Sequence, residues 1–259
     1  MFKKLFILFF TLFSLEAAHL EHLTFGLKST MYDYTEYDTS GKILDTEESN
    51  LFELLGVYVN AHIGFKEKKN HLEFLNSVTT GFTKYIGSKL GGNYGDVVST
   101  TSNTFLKSEL SFVRVINSSK RSDISILPAI GYHYWERTLS ISQNEIYSWG
   151  FYQLGLRTDI KKKNKKHLTF EYKHQWTIKP TMYADIPSIN LDDDFDLGKT
   201  ESDFFSITLH HRFFKGMETE MKLEYETVDI GRSNVIKGFV EPQSNQKNIS
   251  LYFGFMINP

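Results

Sequence analysis

The 259-residue chain has no cysteine, which excludes a disulfide framework, a thiolate metal site and a cysteine nucleophile. Proline is scarce, at five residues, so little interrupts extended chain. The one continuous apolar run, Leu5 to Phe13, is far shorter than the roughly 20 residues a membrane helix needs. Beyond it no window approaches that length, and the mean hydropathy is negative. Any membrane crossing must then be made by strands that satisfy one another's backbone groups. An excess of basic charge is also missing: the net charge of −2 leaves no electrostatic footprint for nucleic acid.

What the chain does have is aromatic residues, 22 Phe and 14 Tyr, which suit strands better than helices. It opens Met1, Phe2, Lys3, Lys4 ahead of the apolar run, the pattern of a secretion signal. Ala17 and Ala18 mark the cleavage zone, although Glu16 departs from a small-x-small site. Residues 1–18 are therefore read as a signal peptide and 19–259 as a single domain.

In that domain every second side chain is apolar over stretches of about a dozen residues. Leu168, Phe170, Tyr172, His174, Trp176 and Ile178 alternate with Thr169, Glu171, Lys173, Gln175, Thr177 and Lys179. Ten such strands are predicted, about 22–36, 51–65, 71–86, 104–116, 123–138, 146–160, 167–180, 202–214, 217–228 and 248–257. Short, Lys/Arg-rich turns such as 161–166 alternate with longer connections, of which 181–201 is acidic. The expected fold is all-β, a transmembrane antiparallel up-and-down β-barrel of about ten strands, within a range of eight to twelve. A soluble barrel alternates too, but strands of twelve or more residues, aromatic strand ends and asymmetric turn lengths favour the membrane form. An even strand count puts both termini on the periplasmic side of a bacterial outer membrane.

The predicted lipid-facing set includes Leu55, Val57, Val59, Ala61 and Ile63; Tyr152, Leu154, Leu156 and Ile160; Phe205, Ile207, Leu209 and Phe213; Met221, Leu223 and Tyr225; and Ile249, Leu251, Phe253, Phe255 and Ile257. Charged residues on the complementary face belong inside, because Arg or Lys facing lipid at mid-depth costs about 2–4 kcal/mol. A ten-stranded lumen lies near the filled end of the size range, so these charges are expected to neutralise one another. Tyr132, Tyr134, Tyr147, Trp149 and Trp176 fall toward strand ends, where an aromatic girdle is expected. The candidate lumen or mouth cluster comprises His133, Trp135, Arg137, Glu145, Trp149, Arg157, Glu171, Lys173, Arg212 and Glu224. An aromatic and cationic group at the mouth would bind a ligand by stacking and charge; the alternative is a girdle plus an internal ion pair.

Neither catalytic constellation sought on barrels of this size is found. No Asp-x-Asp is followed by a distant Asp-x-His, and no lipid-facing Ser-His couple emerges among His133, His174, His210, His211, Ser206 and Ser250. The chain is expected not to be an enzyme and to carry no cofactor. Asp192-Asp193-Asp194 lacks EF-hand spacing and is read as a solvated face, so no metal ligands are assigned.

Three stretches carry a resemblance: Tyr32-Asp33-Tyr34-Thr35-Glu36-Tyr37-Asp38 with Gly41, Leu44, Asp45 and Glu47; Gly131-Tyr132-His133-Tyr134-Trp135-Glu136-Arg137 followed by Glu145-Ile146-Tyr147-Ser148-Trp149; and Val240-Glu241-Pro242-Gln243-Ser244-Asn245. In these the chain resembles a family of uncharacterised proteobacterial outer-membrane β-barrel proteins. It departs from that family at Tyr225-Glu226-Thr227-Val228, where a Trp or other aromatic is usual, and at its last residue, Pro259. The resemblance implies location and architecture and no residue-level activity. Expected partners are outer-membrane lipid and lipopolysaccharide, the barrel-assembly machinery during biogenesis, and candidate small solutes, with no nucleic acid. The functional expectation is a narrow channel or a structural surface protein; the alternatives are a binding or adhesion protein acting through its loops, and a rim hydrolase.

Overall fold

The computed structural model describes residues 18–65, 69–88, 92–140, 143–162, 165–214 and 217–258, the side chains of 165, 212–214 and 217 apart. The predicted signal peptide lies outside the described residues, Ala18 excepted.

Eleven strand segments follow one another: β1 His19–Tyr37, β2 Ile43–Gly64, β3 Asn70–Gly87, β4 Val97–Ser118, β5 Ser122–Ser140, β6 Gln143–Lys162, β7 Lys165–Ile186, β8 Leu191–Asp196, β9 Glu201–Phe214, β10 Met217–Ile230 and β11 Gln243–Ile257. Each pairs antiparallel with its neighbour in sequence, except that β7 bonds β8 along its outer part and β9 along its inner part. β8 and β9 thus share one position in the ring. The β1–β11 and β6–β7 pairings close the sheet into a ten-stranded antiparallel barrel, the outer-membrane β-barrel fold.

All ten predicted strands are present, and each is longer than predicted. The expected connections shrink accordingly: the long one at 37–50 becomes a turn at 38–42, and the medium one at 138–145 is taken up by β5 to Ser140 and β6 from Gln143. Most strikingly different is 181–201, expected as an open loop. Its first half is the β7–β8 hairpin, turned through Pro187–Ile189 with Asn190 in the left-handed region (φ 54°).

The start of β1, the end of β11 and the β2–β3, β4–β5, β6–β7 and β9–β10 junctions share one end of the barrel, here the terminal end. The other connections share the loop end. There, Gly198 donates its N–H to the carbonyls of Gly231 and Arg232, joining the β8–β9 junction to the β10–β11 loop. A Cβ on Gly231 would lie 2.6 Å from the Gly198 carbonyl carbon, so the contact needs glycine there.

Outward faces carry the predicted apolar set. Leu55, Val57 and Val59, Leu154 and Leu156, Phe205 and Ile207, and Met221 and Leu223 are all exposed. An exposed apolar surface of this extent on a closed barrel is a lipid-facing belt. The belt ends toward the loop end where Asp33, Glu48, Lys84, Glu136 and Lys247 take over the outward positions. Strand parts beyond these residues stand outside the apolar band, and the partly exposed Trp176 stacks on Tyr152 along it (5.3 Å).

Candidate functional site

Alternation sends every second side chain into the lumen, and the ten strands fill it in three tiers. The lowest tier, toward the terminal end, is ionic. Arg157 on β6 donates bidentately to Glu73 across the lumen (2.5 and 2.7 Å) and through Nε to Glu171 on β7 (2.7 Å). Lys173 bridges Glu109 (3.0 Å) and Glu171 (2.9 Å), and Lys222 holds Glu224 (2.5 Å), which also accepts the Tyr252 hydroxyl (2.8 Å). Arg157, Glu171 and Lys173 thus lie in one paired network, and Glu224 is paired with Lys222. Among these side chains lies a polar cavity of about 80 Å³, the space of a few water molecules. The Arg212 side chain, expected in this set, lies outside the described residues.

The middle tier is aromatic. Trp135 stacks on Tyr147 (4.3 Å between centroids) and on Phe105 (5.7 Å), and takes Tyr34 at its edge (5.2 Å). Its indole N–H donates to Asn103 Oδ1 (2.7 Å). Beside it His133 stacks on Trp149 (4.4 Å). Tyr32, Leu54, Phe151, Met182, Phe195 and Ile230 complete one continuous buried cluster. Tyr147 and Trp149 are thus not girdle residues as expected: both are buried in the lumen, because they share the inward parity of Phe151 and not the outward parity of Tyr152.

The upper tier stands beyond the apolar band. Arg137, 1 % exposed, donates through Nε to Glu47 (2.5 Å) and through Nη1 to Glu36 (2.9 Å) and Glu145 (2.8 Å), while Nη2 lies 3.6 Å from Asp45. A fifth carboxyl, Glu241, accepts the Tyr147 hydroxyl (2.6 Å). Thr83 and Asn103 donate to Glu47, and Tyr34 to Glu36. Glu36, Asp45 and Glu47, Arg137 and Glu145, and Glu241 bring the three sequence stretches quoted above together here.

One guanidinium cannot neutralise five buried carboxyls. Burial, reinforced by Glu36, raises the Asp45 carboxyl well above its ordinary value. Burial also raises Glu145 against the pull of Arg137, and burial with Glu36 and Glu145 raises Glu241. The folded tier therefore binds protons that the unfolded chain, with ordinary carboxyls at about 4, releases. Its stabilising contribution is complete below that range and is lost as pH rises through the raised values. The urea midpoint of the bilayer-inserted barrel is expected to fall between pH 5 and pH 8, and Glu145→Gln with Glu241→Gln to flatten the decline. A midpoint that rises over this interval in the parent would contradict the assignment.

Sequence reading found Arg137, Glu145 and Trp135 but missed Glu36, Asp45, Glu47 and Glu241, which reach the cluster from elsewhere around the barrel. It also missed an outward group: His174 Nδ1 lies 2.9 Å from Asp203, which accepts the Tyr172 hydroxyl (2.7 Å). On the acidic hairpin, Asp192 accepts the Tyr183 hydroxyl and Asp193 pairs with Lys237.

No protein-family model and no curated protein sequence matches this chain. Solved structures do. The outer membrane protease OmpT from Escherichia coli aligns over 95 % of this chain and 98 % of its own, at 7 % identity and TM-score 0.50. The translocator domain of the autotransporter NalP from Neisseria meningitidis aligns over 92 % and 88 % (9 %, TM-score 0.44), and the Pseudomonas putida toluene transporter TodX over 95 % and 91 % (8 %, TM-score 0.39). The OmpT likeness is one of fold. It corrects the expectation that the chain is not an enzyme, since this barrel architecture also houses a protease and gives no ground against catalysis.

Proposed function

We propose that this chain is an integral outer-membrane protein with a sealed lumen, working through its loop-end surface and not as an open pore. The carrying observation is the aromatic tier, in which Trp135, Tyr147, Trp149 and Phe151 are at most 2 % exposed. A ten-stranded barrel has little spare interior, and here the interior is occupied twice over, by rings and by paired charges. The apolar belt supports a bilayer setting. The short Lys-rich turns at the terminal end and the longer connections opposite support an orientation with both termini periplasmic and the signal peptide removed. In that setting the belt meets lipid and lipopolysaccharide acyl chains, and the assembly machinery meets the chain during insertion. The surface left to engage partners is the loop end, where the hairpin turns Asp185, Asp192 and Asp194 outward over an inner face of Met182, Ala184 and Phe195.

Planar-bilayer recording on refolded protein tests the reading, after a heat-dependent gel shift has verified the folded barrel. Folded wild-type protein is expected to give no discrete conductance steps. Regular, salt-dependent steps would overturn the sealed lumen and return the Glu171/Lys173 tier to the role of a selectivity filter.

A further inference from the structure

At the terminal mouth of the lumen the β2–β3 hairpin gathers three side chains that no step above uses. His62 and Glu73 are direct cross-strand partners, and His71 sits opposite Gly64, two residues from Glu73 on the same inward face. His71 Nε2 lies 2.9 Å and His62 Nδ1 3.4 Å from the same oxygen, Glu73 Oε1. All three donor atoms lie within 4.8 Å of one another. From this geometry we infer that His62, His71 and Glu73 form a site for a borderline divalent transition metal such as Zn²⁺, Cu²⁺ or Ni²⁺.

The distances favour it. Metal–ligand bonds of about 2.0–2.2 Å set tetrahedral edges of about 3.3–3.6 Å, and the His62–Glu73 edge already has that length. The His71–Glu73 edge must open by a few tenths of an ångström, and the His62–His71 edge closes by turning two side chains at the lumen mouth. Two imidazoles and one carboxylate select borderline metals over calcium or magnesium, which require a set of oxygen ligands. Three protein ligands leave one coordination position to water.

The surrounding groups supply the outer shell such a site needs. Arg157 donates to both Glu73 oxygens; Nη2 can retain Oε2 while Nη1 yields Oε1 to the metal. Asn60 Nδ2 stands 3.0 Å from His62 Nε2, while Asn60 Oδ1 is buried without a partner. Exchanging the amide N and O lets Oδ1 accept the His62 Nε2–H, which leaves the Nδ1 lone pair free for the metal. His22 stacks on His62 (3.8 Å) and fixes its ring plane. The side chains of His62 and His71 are 11 % and 14 % exposed, so an ion reaches them from the mouth.

The experiment is Cu²⁺ titration of the refolded full-length barrel, read by electron paramagnetic resonance and by stoichiometry, with Zn²⁺ as competitor. One Cu²⁺ per barrel with nitrogen hyperfine coupling, displaced by Zn²⁺, is expected. His71→Ala should abolish the stoichiometric site, and Asn60→Ala should weaken it by about 10–100-fold. If His71→Ala loses the folded gel shift, His62→Gln and His71→Gln serve instead. Absence of a nitrogen-ligated ion in the wild type, or an undiminished site in folded His62 and His71 variants, would overturn the inference. The second result would place the ion on other nitrogen ligands, such as His22 or His210 at the same mouth.

Discussion

Arg137→Ala is expected to destabilise the folded barrel by about 3–5 kcal/mol, the range for removing one partner of a buried ion pair. The guanidinium is 1 % exposed and bonds three carboxylates from β1, β2 and β6, with a fourth at 3.6 Å. Its loss leaves Glu36, Glu47 and Glu145 facing one another in a space that Trp135 and Tyr34 shield from solvent. They must take up protons or admit water, and either disrupts the tier. Arg137→Lys should recover little, because an ammonium cannot present separate donors to carboxylates on opposite walls. Urea unfolding in lipid vesicles measures the loss. Adding Glu47→Gln and Glu145→Gln to Arg137→Ala should recover part of it, since the residual cost is charge repulsion and the substitutions share one network. A loss below about 1 kcal/mol would mean that the cluster is hydrated and contributes like a surface pair.

The barrel was readable because lipid imposes one sign on the pattern. Along β11, Ile249, Leu251, Phe253, Phe255 and Ile257 form an unbroken apolar row, while Asn248, Ser250 and Gly254 interrupt the alternate one, so the former is the outer face. From the aromatic tier upward the sign reverses. On β6, Tyr147, Trp149 and Phe151 are apolar and inward while Ser148 and Asn144 turn out, so a rule that assigns aromatics to an outer girdle fails there. Counting parity from Leu156 places them correctly. The same reversal hid the β7–β8 hairpin, whose Asp185, Asp192 and Asp194 face out over Met182, Ala184 and Phe195 and make its sequence resemble a solvated loop. Arg137 and Glu145 emerged together because they are cross-strand partners. Their contacts with Glu36, Asp45 and Glu47 cross the lumen, and strand pairing does not encode which far wall a side chain reaches. His62 and His71 lie nine residues apart on either side of a turn, and only the register that sets His62 against Glu73 brings them together.

Trp135→Ala is expected to cost about 3–5 kcal/mol, as for other large-to-small changes of buried aromatics, without making the barrel conduct. Trp135 is fully buried and touches Tyr32, Tyr34, Phe105 and Tyr147. Its removal opens a cavity on all these sides and leaves Asn103 Oδ1 without the indole donor. Rings stacked between two strands of a closed sheet cannot collapse far into such a space, because inter-strand hydrogen bonds fix the walls. The value should therefore lie toward the upper end of the range, and Trp135→Phe, which keeps a ring but not the N–H, should recover more than half. Conductance reads a separate property. The new cavity would be walled above by the Arg137 tier and below by Lys107, Arg157 and Lys173 with their carboxylates, so neither end gains a path. Silence in the bilayer together with a lowered urea midpoint is the expected pair of results. Discrete steps from Trp135→Ala would show instead that the aromatic tier alone seals the lumen and that the ionic tiers are already permeable.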